Sequence, residues 1–171
     1  VGNHALNSNT TADNNTAVGY FSLYANTTGE SNTAVGKSAL AANTTASNNT
    51  ALGTNTLLVN TTGASNTSVG SGALASNTTA SNNTAVGLLA LNANTTGTEN
   101  VAVGSLALDA NTTANGNSAL GHGSLGANTT GAANVAVGTA SLQSNTTASH
   151  NTGVGYLALG ANTTGDRSIA V

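Results

Sequence analysis

Along this chain the apolar positions return on a fixed beat rather than in blocks. Leucine stands at 6, 23, 40, 57, 74, 91, 108, 125, 142 and 159, an unbroken 17-residue period. Valine or leucine occupies 18, 35, 52, 69, 86, 103, 120, 137 and 154 on the same beat. Between them lie polar triplets, Asn-Thr-Thr, beginning at 9, 26, 43 and on to 162. The unit reads N-T-A-V-G-x-x-A-L-x-x-N-T-T-[G/A]-x-x, without an insertion or deletion. A fixed period of this size marks a stacked solenoid, in which each unit buries its apolar face only against its neighbours.

Residue type selects the kind of solenoid. Gly, Asn, Thr and Val favour turns and strands over helix, and a unit of this length suits one coil of two short strands and two turns. The spacing predicts an all-β fold, a parallel β-solenoid of about ten 17-residue coils, as a single uninterrupted domain over residues 1–171. Alternation within "NTAVG" sends Thr33 and Val35 to one face and Ala34 to the other; within "ALAA", Leu40 and Ala42 share a face opposite Ala39 and Ala41. The expected core is therefore Val18, Leu23, Val35, Leu40, Leu52, Leu57, Val69, Leu74, Val86, Leu91, Val103, Leu108, Leu120, Leu125, Val137, Leu142, Val154 and Leu159. At about 4.8 Å per rung, ten coils span roughly 48 Å.

Two further columns carry backbone information. Gly19, Gly36, Gly53, Gly70, Gly87, Gly104, Gly121, Gly138 and Gly155 close the first strand in every unit. No Asn or Ser ever replaces them, which predicts a turn needing positive φ or a close backbone approach. The residue after Asn-Thr-Thr alternates strictly between Ala (12, 46, 80) and Gly (29, 63, 97). Either a duplication of two coils at once left this mark, or neighbouring turns differ in conformation, with the Gly coils free to take φ > 0.

On this reading the outward strand position is Ala17, Ala34, Ala51, Ser68 and their successors, with Ala5, Ser22, Ala39 and Thr56 forming a second small column. A solvent-facing strand position normally turns polar. A column of small residues instead suits a lateral chain–chain contact about a twofold or threefold axis, or a coil too narrow for anything larger.

The units resemble the head repeats of trimeric autotransporter adhesins, in which an N-S-V-A-I-G motif precedes a small residue, and N-T-A-V-G arrays of phage tail fibres. The likeness runs through every repeat, although the Asn-Thr-Thr turn makes this coil longer than the adhesin one. What the resemblance implies is a left-handed β-roll, a trimer, and a place on a cell or virion surface. Val1 and Val171 share a repeat position, and no atypical capping unit stands at either end. Solenoids need such caps, so the expectation is a window onto a longer fibre or a subunit that stacks end to end.

Composition narrows the function. Charged residues make up 4% of the chain, and Lys37 and Arg167 are its only cations, which argues against nucleic acid. No apolar run approaches a membrane span. His4, His122 and His150 fall at different repeat positions on distant rungs, the acids form no column, and no nucleophile has a base beside it. The expectation is therefore no enzyme, no metal and no cofactor. Two ice-binding rows, Thr27/Thr44/Thr61 and Thr28/Thr45/Thr62, are a minor alternative. Beside the fibre stands the alternative of an adhesin or tail-fibre segment that binds a host surface.

One chemistry repeats ten times. Asn9, Asn26, Asn43, Asn60, Asn77, Asn94, Asn111, Asn128, Asn145 and Asn162 each open a glycosylation sequon. Stacked asparagines also form amide ladders that hold a turn with no sugar present. Both readings stay open: an invariant Thr two positions on is what glycosylation requires, whereas sugars about 4.8 Å apart would crowd. The expected protein is a non-catalytic extracellular fibre or filament shaft that self-associates, with covalent glycans as candidate decoration.

Overall fold

The computed structural model describes residues 2–171 and is a parallel β-solenoid without helix among them. One short strand marks each coil: β1 Thr16–Val18, β2 Thr33–Val35, β3 Thr50–Leu52, β4 Thr67–Val69, β5 Thr84–Val86, β6 Val101–Val103, β7 Ser118–Leu120, β8 Val135–Val137, β9 Thr152–Val154 and β10 Ile169–Ala170. They form a single parallel sheet in sequence order, each strand paired in register with its equivalent in the next coil, as Thr33 with Thr50 and Val35 with Leu52. Backbone bonds of 2.8 Å continue beyond the strand itself, from Thr33 N–H to the Asn49 carbonyl and from Gly36 N–H to the Val18 carbonyl.

The sheet faces are the reverse of the sequence expectation. Ala34, Ala51, Ala85 and Ala102 are fully buried, and Val18, Leu52 and Leu120 are 43%, 37% and 51% exposed. Val35, Val69, Val86, Val103, Val137 and Val154 are only half-buried. The valine column is therefore the rim of the outer face and not core. The buried asparagine at 32 sets the parity: with Asn32 inside, alternation puts Thr33 out, Ala34 in and Val35 out. Across a narrow coil the Leu40 row fills the interior, leaving room opposite for a methyl group. The alanine columns are consequently core and not a lateral interface.

The second predicted strand does not form. Ser38 and Leu40 have φ of 55° and 54°, and the leucine row as a whole lies between 48° and 54°. Left-handed residues alternating with ordinary ones curl the chain so that neighbours Ala39 and Leu40 both point inward and are fully buried. Successive amides then point to opposite rungs: Leu40 N–H reaches the Thr56 carbonyl at 3.0 Å, and Ser38 N–H the Tyr20 carbonyl at 2.8 Å. A left-handed leucine costs about 1–2 kcal/mol, and burying its side chain contributes about 1.5–3 kcal/mol. Glycine would relieve the strain but open a hole worth about 2–5 kcal/mol, so leucine holds the position.

The leucine core was placed correctly: Leu23, Leu40, Leu57, Leu74, Leu91, Leu108, Leu125 and Leu142 are all fully buried, and Leu159 packs against them. Exceptions to the alanine columns find partners: Ser22 and Ser124 donate to the Gly19 and Gly121 carbonyls of their own turns, and Ser141 to the Gly153 carbonyl. Ser68 and Thr56, each standing where most coils carry Ala, meet hydroxyl to hydroxyl, and both lie within hydrogen-bond reach of the Ala73 carbonyl.

The glycine column meets both of its expected requirements. Gly19 through Gly155 have φ between 124° and 139°. A methyl on Gly87 would lie 2.5 Å from the Gly104 carbonyl oxygen, and one on Gly36 2.4 Å from that of Gly53. Rungs touch backbone to backbone here.

Candidate functional site

The Asn-Thr-Thr corner is where polar side chains converge. Asn26, Asn43, Asn60, Asn77, Asn94, Asn111, Asn128 and Asn145 are all fully buried, and Asn9 and Asn162 at the outer rungs are half-buried. The Asn43 amide donates one hydrogen to Asn26 Oδ1 on the rung before (2.8 Å) and the other to the Ala46 carbonyl of its own turn (2.9 Å). The same pair of bonds recurs at Asn77, Asn94 and Asn128.

A second buried column runs beside the first, from Asn32 through Asn151. Asn15 Oδ1 accepts the backbone N–H of Asn32 (2.9 Å), and Asn32 Nδ2 donates to the Ala46 carbonyl (2.9 Å). That carbonyl thus accepts from both columns at once, tying Asn32 to Asn43 across the corner. Asn151 Nδ2 is the only buried side-chain polar atom without a partner among the described residues.

This geometry decides where the sequon nitrogens point. An N-linked sugar replaces one hydrogen of Nδ2. At the eight fully buried positions both hydrogens are donated and no surface is open. A glycan and this stack exclude each other at those eight positions. The second threonines, Thr28, Thr45 and Thr62, are exposed, and nothing in the structure explains why they never vary. The first threonines spend their hydroxyls on the next rung, Thr44 Oγ1 donating to the Thr61 carbonyl at 3.2 Å. Both rows lie at the corner and not on the sheet.

The Gly/Ala alternation is structural. Gly29 does not take positive φ; instead a Cβ there would sit 2.2 Å from the Ala46 carbonyl oxygen and 2.6 Å from Asn26 Oδ1. Thr27 and Thr28 both donate their backbone N–H to the Thr44 carbonyl, a doubled bond repeated at Thr61/Thr62 and Thr95/Thr96 but not in the coils between. The bonding repeat is therefore a pair of coils. Close approach, and not conformational freedom, requires the glycine.

Away from the corner, the outer sheet face carries two columns. One is Thr16, Thr33, Thr50, Thr67, Thr84, Val101, Ser118, Val135, Thr152 and Ile169, and the other is the valine/leucine column. Neither contains a charged residue. A shallow hollow of about 280 Å³ interrupts another side, lined by Leu106, Asp109, His122, Gly123, Gly126, Ala127 and Gln143. Burial pushes the Asp109 carboxyl up from its ordinary value, opposed by backbone N–H groups of Asp109 and Ala110. His4, His122 and His150 stay on separate rungs, and the described residues contain no group of three potential metal ligands. No helix is long and apolar enough to cross a membrane among them. Comparison with protein-family models, curated proteins and solved structures finds no match to this chain.

Proposed function

We propose that the chain is a non-catalytic structural segment of an extracellular fibre, associating side by side with copies of itself through the outer sheet face. The observation that carries this reading is the uncharged Thr/Val/Leu surface along all ten strands, with Val18, Val101 and Leu120 more than a third exposed. A contiguous apolar stripe of this length is unusual on a surface that meets only water. Being uncharged, it sets no like charges against each other when two copies meet. The resemblance to adhesin heads and tail-fibre arrays supports three chains per assembly and a place on a cell or virion surface. At the eight fully buried corners the asparagines serve as ladders between rungs in place of glycan attachment.

Sedimentation velocity tests the association. The wild-type chain should run as an oligomer, and the pair Val86→Lys with Val103→Lys should run as a monomer with an unchanged circular dichroism spectrum. A monomeric wild type, or an oligomer indifferent to those lysines, sinks the reading. Mass spectrometry of the secreted chain should give the unmodified polypeptide mass.

A further inference from the structure

One coil departs from the repeat in a way its packing does not need. Tyr20, Phe21 and Tyr24 are three of the four Tyr and Phe residues in the chain. The same positions one coil on hold Lys37, Ser38 and Ala41, and three coils on Ser71, Gly72 and Ala75. Those coils bury Leu40 and Leu74 as completely as this one buries Leu23, so the core is complete without aromatic rings.

The rings nevertheless gather on each other. Phe21 is central, with Tyr20 edge-on at 4.4 Å and 73°, Tyr24 at 4.6 Å and 51°, and His4 from the rung before at 5.0 Å and 31°. Tyr20 is 48% exposed and His4 is exposed. Neither Tyr20 nor Tyr24 spends its hydroxyl on a bond among the described residues, so a rigid apolar surface carries two free phenols. Lys37, the chain's only lysine, takes the Tyr20 position on the following rung, where Ser38 N–H meets the Tyr20 carbonyl at 2.8 Å. It too is exposed.

We propose that Tyr20, Phe21, Tyr24 and Lys37 form a binding platform for an anionic sugar ring. The apolar C–H face of a sugar stacks on aromatic rings, its hydroxyls exchange hydrogen bonds with phenols, and an ammonium answers a carboxylate or sulfate. The platform lies in two stacked connections, 19–32 for the aromatic residues and 36–49 for Lys37, outside the sheet, and so goes beyond the self-association proposed above.

Saturation-transfer NMR on the full chain tests it, with trigalacturonate and 3′-sialyllactose as acidic probes and lactose as the neutral one. Saturable millimolar binding of the acidic sugars is expected, weakened roughly tenfold by Tyr20→Ala. Lys37→Gln should reduce the acidic sugars to the level of lactose. Both side chains are exposed, and unchanged circular dichroism would show each variant folded. The proposal is overturned if neither acidic probe saturates, if Tyr20→Ala binds as well as the parent, or if Lys37→Gln keeps the acidic preference. Loss of binding on Tyr156→Ala alone would move the site elsewhere and overturn it equally. So would a preference for a thymidine oligonucleotide over every sugar.

Discussion

The strand side and the asparagine corner of each coil hold one rung on the next by different means. On the strand side the backbone makes the bonds: Thr33 N–H and Gly36 N–H reach neighbouring carbonyls at 2.8 Å whatever the outer side chain is. The outer column accordingly drifts among Thr, Val, Ser and Ile. At the corner side-chain amides add a second set of bonds between rungs to those of the backbone, and Asn stands in all ten copies. Sequence tolerance in a solenoid thus follows who supplies the hydrogen bonds. Glycine marks a third regime, in which the rungs meet so closely that no side chain fits.

That third regime gives the largest expected effect. Gly104→Ala would place a methyl 2.5 Å from the Gly121 carbonyl oxygen at a φ of 138°. Neither backbone can yield without shearing the ladder, so the loss should be about 4 kcal/mol or more. Gly123→Ala is the control. Its φ is 62°, no atom stands within 4 Å of the new methyl, and Leu106 and Ala140 take the same conformation one rung away. It should lose only about 1 kcal/mol. Equal losses in urea unfolding would show that backbone conformation, and not contact between rungs, demands the glycine.

Next comes the contrast between corner and strand. Asn94→Ala removes bonds to Asn77 Oδ1 (3.1 Å) and the Gly97 carbonyl (2.9 Å), and takes the acceptor from Asn111 Nδ2 (3.0 Å). It leaves buried amide atoms unpaired, at a cost of about 3 kcal/mol. Thr84→Val, on the outer strand face of the same region, should stay within about 0.5 kcal/mol. A strand substitution as costly as the corner one would overturn the division of labour.

Most of the architecture could be read from spacing. Period, parallel stacking, the leucine core and the glycine turns all follow from residues that never vary. What misled was "NTAVG", where hydropathy favours Val35 as the inward residue. In a strand this short a one-position slip exchanges the faces, and hydropathy alone does not fix the parity. The deciding signal was Asn32, because a buried asparagine two positions before Ala34 forces the alanine inward. Drift in the Thr33 column, with Val101 and Ser118 on later rungs, pointed the same way. The "ALAA" segment reads as a strand because left-handed leucine is rare, and only stacking makes it tolerable. Tyr20, Phe21 and Tyr24 fall within five positions of one another in the chain, whereas that His4 joins them depends on the register between coils.

The smallest effect concerns the side that is neither strand nor corner. Asp109 sits half-buried in the hollow beside His122 and Gln143, and burial raises its carboxyl above the ordinary 3.8. The folded chain therefore binds this proton more tightly than the unfolded chain does, and protonation favours the fold. The stabilising contribution is fully present below about 3.8 and is lost as pH rises through the higher folded value. Backbone N–H groups limit the shift, and solvent reaches the carboxyl, so the change should be a fraction of a kcal/mol, about 0.5 or less. Asp109→Asn keeps the shape and removes the charge. Its stability at neutral pH should slightly exceed the parent's, and the difference should vanish on acidification below the carboxylate range. Urea midpoints at neutral and acidic pH measure this, and a gap that widens with acid would mean that the hollow favours the charged carboxylate.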